Sequence, residues 1–172
     1  MGFPYISPYG GRYARHFFVR KFRISCVLPS WWDAFFSAKI FPEDKDVAFV
    51  EYNPNPVARS VGDCSVRAIA KALNMGWEAA YIALVINGLQ MGDMPSSNSV
   101  ITAVLRQHGF RGRTMPDSCP YCYTAEDFCE DFPRGTYVLF FSNHVATVID
   151  GDLYDAWNSS REVVQMYWTK EE

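Results

Sequence analysis

Asn143-His144-Val145-Ala146-Thr147-Val148-Ile149-Asp150-Gly151-Asp152-Leu153-Tyr154-Asp155-Ala156-Trp157 reads as a β-hairpin. Val145 to Ile149 is rich in β-branched residues, Asp150-Gly151 is a dipeptide that favours the two-residue type I′ turn, and Leu153 to Trp157 carries the chain back. In that register Ile149 faces Asp152, Ala146 faces Asp155 and His144 faces Trp157. His144 and Asp155 then project from one sheet face as diagonal neighbours, whereas Asn158 projects from the other face.

Working outward, residues 137–141 and 163–168 are further β-rich runs bounded by turn residues, so four consecutive short strands are expected. Upstream, residues 64–73, 77–86 and 100–108 each carry apolar side chains at helical spacing, and Thr124 with Asp127 can cap a fourth helix. Helices followed by consecutive strands predict an α+β domain with an antiparallel sheet. Residues 47–52 read as a strand running into Asn53-Pro54-Asn55-Pro56, a turn near the start of the main domain. The expected division is a domain over residues 46–172 and an extension over residues 1–45.

That extension differs in chemistry from the rest. Residues 13–28 alternate loosely, as a strand would, and Ser30 with Asp33 can cap a short helix through Trp31, Trp32, Phe35 and Phe36. The first 28 residues contain Arg12, Arg15, Arg20, Lys21 and Arg23 and no acid, so a chain of net charge −3 carries −8 beyond them. A basic, aromatic arm of this kind either docks on an acidic partner or a nucleic acid, or lies as a solvated strand on its own domain. The solvated strand is the ordinary reading; if the arm docks, a protein assembly partner is expected, and nucleic acid and membrane are not.

The chain is 49% hydrophobic and 20% charged, ordinary values for a globular protein with a buried core. Its five cysteines are an odd set without regular spacing, and no apolar run has signal-peptide or membrane-span length. A reducing, cytoplasmic setting is expected.

Cys64 follows Gly62-Asp63 and stands at the start of the helix carrying Val66, Ile69, Ala70 and Leu73. Unpaired backbone N–H groups and the helix dipole lower a thiol's pKa at that position. A lone cysteine there is also a common small buried hydrophobe. What favours chemistry is the hairpin: a histidine at a strand's start with an acid on the neighbouring strand can act as a general base oriented by a carboxylate.

Three stretches together resemble a known family. They are Gly62-Asp63-Cys64-Ser65-Val66-Arg67-Ala68-Ile69-Ala70-Lys71-Ala72-Leu73, Gly92-Asp93-Met94-Pro95-Ser96-Ser97-Asn98, and His144 through Asp155. Over residues 50–168 or so the chain is similar to the small papain-like cysteine peptidases of gut bacteria and their phages. The resemblance implies a papain-like fold, helices first and sheet second, with Cys64, His144 and Asp155 as the catalytic triad. It also implies attack on a peptide or isopeptide bond, in a bacterial host cell or in association with a virion. Papain-like sites need donors for the tetrahedral oxyanion, normally the nucleophile's own N–H and an upstream amide side chain. Asn55 is the candidate, although Asn-Pro is also an ordinary turn former.

No metal or organic cofactor is expected. Cys119-Pro120-Tyr121-Cys122 with Cys129 invites a zinc reading, but a tetrahedral site would need Cys26 or a distant histidine as its fourth ligand. Two other functions stay open: an acyltransferase using the same triad, and a non-catalytic virion or binding protein that keeps the fold.

Overall fold

The computed structural model describes residues 49–116, 120 and 122–170. The expected extension over residues 1–45, with its strand and short helix, lies outside them. Among the described residues four helices and six strands follow one another. They are β1 (Phe49–Glu51), α1 (Cys64–Ala72), α2 (Trp77–Met91), α3 (Asn98–Gln107), β2 (Phe110–Thr114), α4 (Ala125–Asp131), β3 (Thr136–Phe140), β4 (Val145–Ile149), β5 (Asp152–Asp155) and β6 (Met166–Lys170). The fold class is α+β, as the order of elements predicts.

The strands form one sheet in the order β1-β5-β4-β3-β6-β2. Most neighbours are antiparallel, but β1 runs parallel to β5, with Phe49 beside Leu153 and Glu51 beside Asp155. The expected antiparallel sheet is therefore corrected to a mixed one. A hairpin forces antiparallel pairing; β1 reaches β5 by way of most of the domain, and nothing local sets its direction.

β2 is the second departure from the sequence reading. Phe110-Arg111-Gly112-Arg113-Thr114 shows no apolar alternation, and only Phe110 is buried. It is a strand because it pairs along β6, with Gly112 beside Trp168. The indole lies so close over Gly112 that a Cβ there would stand 2.7 Å from the ring. Glycine alone admits that contact.

The hairpin has the register of a two-residue turn, Ile149 facing Asp152 and Thr147 facing Tyr154. Asp150 and Gly151 have φ of 52° and 82°, the pair of positive values that type I′ requires.

Alternate residues of β3 serve two cores. Val138 and Phe140 join Ile69, Leu84, Val100 and Leu105 from the first three helices, while Leu139 joins Phe128 and Cys129 of α4. The sheet is covered on both faces, which is why β3 and β4 read as nearly continuous apolar runs. α4 begins with the expected capping box: Asp127 N–H donates to Thr124 Oγ1 at 3.3 Å, and Thr124 N–H donates to the Asp127 carboxylate at 2.8 Å. Such a cap contributes about 1 kcal/mol. α2 runs past its expected end at Ile86 to Met91, and its buried Asn87 is held by Gln107 Nε2 donating to Asn87 Oδ1 at 2.8 Å.

One buried contact fixes the helix layer to the strand that matters most. Thr147 Oγ1 on β4 donates to the Ala68 carbonyl on α1 at 3.0 Å.

Candidate active site

Cys64 is the first residue of α1, and Asp63 before it makes no side-chain cap hydrogen bond. The Asp63 carboxylate is engaged elsewhere, by Arg67 and by Trp77 Nε1–H, the latter at 2.9 Å. The first amides of the helix therefore keep their unpaired N–H groups beside the thiol. His144 immediately precedes β4, and its carbonyl accepts the Phe141 N–H at 2.9 Å, which holds the tight turn between β3 and β4. Asp155 closes β5 and is buried.

These three residues meet. His144 Nε2 hydrogen-bonds to Asp155 Oδ2, and the imidazole lies near enough to the Cys64 thiol to act on its ionisation. With Nε2 so engaged, Nδ1 is the nitrogen left for the thiol. The imidazole is also held by aromatic rings: Phe141 is stacked with it, centroids 5.9 Å apart at 11°, and Trp157 lies 5.2 Å away at 42°. Asp155 Oδ2 accepts a second hydrogen bond from Ser159 Oγ at 2.7 Å. Its Oδ1 accepts the Ala156 N–H at 2.7 Å and faces Arg67 across 3.7 Å. The carboxylate is thus fixed from four directions, and it fixes the ring's orientation and tautomer in turn.

The electrostatics favour a thiolate beside an imidazolium. Burial alone would push the Cys64 pKa up. The hydrogen bonds from His144 and the Val145 N–H, with the positive charges of His144 and Arg67, outweigh that and bring the thiol below its ordinary value. Burial likewise opposes protonation of His144, but its hydrogen bonds to Asp155 and Cys64 and the negative charge of both push its pKa up to about 9. Both shifts run toward a thiolate beside an imidazolium, the pairing that a thiol nucleophile and its proton donor require.

Of the residues singled out in the sequence, Cys64, His144 and Asp155 come together. Asn158 does not join them; its side chain accepts the Ser160 N–H at 3.1 Å. Asn55 lies in the loop before α1, where its Oδ1 accepts the N–H groups of Val57 and Arg59 at 3.1 and 3.4 Å. It also lines a cleft that reaches Asp63. Among the described residues no hydrogen bond links it to the triad. Cys119 lies outside the described residues, Cys122 is exposed and Cys129 is buried in the α4 core. Among the described residues no group of three or more metal-ligating side chains converges.

Four partners were not anticipated. Arg67, which pairs with the N-cap residue Asp63 four positions before it, was legible as helical spacing. Ser159 carried no signal beyond its nearness in sequence to Asp155. Phe141 and Trp157 read as strand aromatics, and nothing in the sequence marked them as walls of the imidazole.

Compared with known proteins, the chain matches no family model, and no curated protein or solved structure is significantly similar to it.

Proposed function

We propose that this chain is a thiol hydrolase that cleaves an amide bond through Cys64, His144 and Asp155. More narrowly, it is a papain-like cysteine peptidase, the family that its sequence resembles. One observation carries the reading: residues far apart in sequence converge, with the His144 imidazole bonded to the Asp155 carboxylate and set close enough to the Cys64 thiol to lower its pKa.

The roles follow from that chain. The Cys64 thiolate adds to the amide carbonyl carbon, and the oxyanion so formed is met by the Cys64 N–H, with the Asn55 side chain as the second donor expected from the sequence. The tetrahedral adduct collapses, the C–N bond breaks, and the leaving amine takes the proton held on His144. A thioester remains on Cys64. His144, now neutral, takes a proton from water as its oxygen attacks the thioester, and collapse releases the acid and restores the thiolate and imidazolium. Asp155 keeps the ring oriented and stabilises its charged form throughout.

The test is selective alkylation. Sub-stoichiometric iodoacetamide at about pH 6.5 labels Cys64 ahead of the other four cysteines, because only a thiol with a lowered pKa is appreciably ionised there. Equal or slower labelling of Cys64 overturns the proposal. A Cys64→Ala variant loses all hydrolysis yet stays within about 1–2 kcal/mol of the parent in stability, since a half-buried thiol contributes little packing. Large destabilisation with activity kept would make Cys64 a core residue.

A further inference from the structure

A cleft of about 450 Å³ lies between the loop before α1 and the start of α2. Its walls are Val57 and Val61 from the loop before α1 and Trp77 and Tyr81 from the first turns of α2, and it reaches Gly62 and Asp63, the two residues that precede Cys64. We propose that this cleft seats a large apolar or aromatic side chain of a polypeptide substrate, on a residue next to the bond that is cut. The inference rests on the thiol-hydrolase reading and adds to it a class of substrate.

Three observations carry it. The first is unexplained apolar exposure: Val57 is 71% exposed, and Val61 and Tyr81 are each 46% exposed, all along one cleft. Scattered exposed hydrophobes need no explanation, but a concave group of them ending at the residues that precede the proposed nucleophile is what a substrate pocket presents. The second is preorganisation. Trp77 is held by its Nε1–H bond to Asp63 and lies stacked on Tyr81, centroids 5.0 Å apart at 15°, so a flat aromatic wall exists before anything binds. Such a wall offers its face to another ring or to an aliphatic chain.

The third is the state of the polar groups along the cleft. Asp63 is taken up by Arg67 and Trp77, and Asn55 Oδ1 by the N–H groups of its own turn. A polar side chain placed between Val57, Val61 and the aromatic pair would lose water and gain little in return. Arg59 also lines the cleft and is exposed, so an acidic side chain is the competitor to be tested. At the end of the cleft nearest Cys64 in sequence, Gly62 has open space where a Cβ would stand, with nothing within 4 Å.

The experiment uses the full chain and three chloromethyl ketones of N-acylated amino acids, bearing a benzyl, a hydrogen or a carboxymethyl side chain. In each the Cys64 thiolate displaces chloride to form a thioether, located by mass spectrometry. The benzyl reagent reacts about tenfold or more faster than the glycyl one, the discrimination expected of an apolar pocket. That advantage falls below about threefold in Tyr81→Ser, which removes the exposed half of the wall, and in Gly62→Leu, which sets a bulky side chain at the end of the cleft nearest Cys64 in sequence. Equal rates for the benzyl and glycyl reagents, or a lead for the carboxymethyl one, overturn the proposal. Iodoacetamide, which carries no side chain, separates the two readings. Selective labelling of Cys64 by iodoacetamide without benzyl preference sinks the cleft alone; no selective labelling by any reagent sinks the thiol hydrolase and the cleft together.

Discussion

Asp63 and Asp155 are two buried acids that both reach Arg67, one at the helix start and one at the end of β5. By burial and by ion pairing they are alike. They differ in what their second oxygen touches: Asp63 Oδ2 accepts from the indole of Trp77, and Asp155 Oδ2 meets the imidazole of His144. The first builds the wall of the cleft, and the second orients the proposed base. A buried, charge-paired carboxylate therefore marks a structured site without saying which role it has. The partner on the far oxygen decides that.

Four substitutions can break this contrast, and their expected effects on the acylation rate fall from the first to the last. Asp155→Ala lowers single-turnover acylation by about tenfold or more, because the ring loses its fixed tautomer and the imidazolium its counter-charge. The alkaline limb of the rate moves as well. His144 holds its proton up to about 9 in the parent and loses it as pH rises through that value, so removing the acid that raises its pKa shifts the limb down toward the ordinary histidine value of 6.5. An unmoved limb would mean that another group protects the imidazolium.

Arg67→Met touches both acids. It leaves two buried carboxylates without their shared cation, costing about 3–5 kcal/mol in denaturant unfolding. It also raises the Cys64 pKa, since the guanidinium is one of the charges that lower it. Acylation near neutral pH falls about threefold to tenfold, and raising the pH recovers part of the loss. Asp63→Asn sharpens the comparison most: about 1–3 kcal/mol of stability is lost with Arg67 less well compensated, while acylation changes by less than about threefold. If Asp63→Asn matched Asp155→Ala in rate, the division of roles would be wrong. Asn158→Ala should leave both quantities nearly untouched, within about 0.5 kcal/mol in stability.

The hairpin was the most legible part of the molecule because its turn chemistry and its period of two agree, so Asp155 could be placed on the histidine's face from residue numbers alone. α1, α3 and α4 were legible for the same reason, local pattern matching final environment. β2 was hidden because Arg111, Gly112 and Arg113 take strand form only by pairing with β6, a contact formed more than 50 residues along the chain. The parallel docking of β1 was hidden likewise. At the site, the sequence pointed to Cys64, His144 and Asp155, which the fold brings together, but not to what encloses them. Trp77 and Arg67 sit on a face of their helices chosen by packing, and Phe141 and Trp157 reach the imidazole only once both turns of β4 are made.

The bond from Thr147 to the Ala68 carbonyl joins positions 79 residues apart. During synthesis, α1 with its thiol emerges from the ribosome long before the strand that carries the proposed base. Until Asp155 has followed, nothing can hold His144 against Cys64, and the nascent chain has a cysteine without its imidazole. Contacts of such long range also form late and slowly in folding. The proposed hydrolase would then be unable to cut its neighbours, or itself, before β4 and β5 have closed on α1.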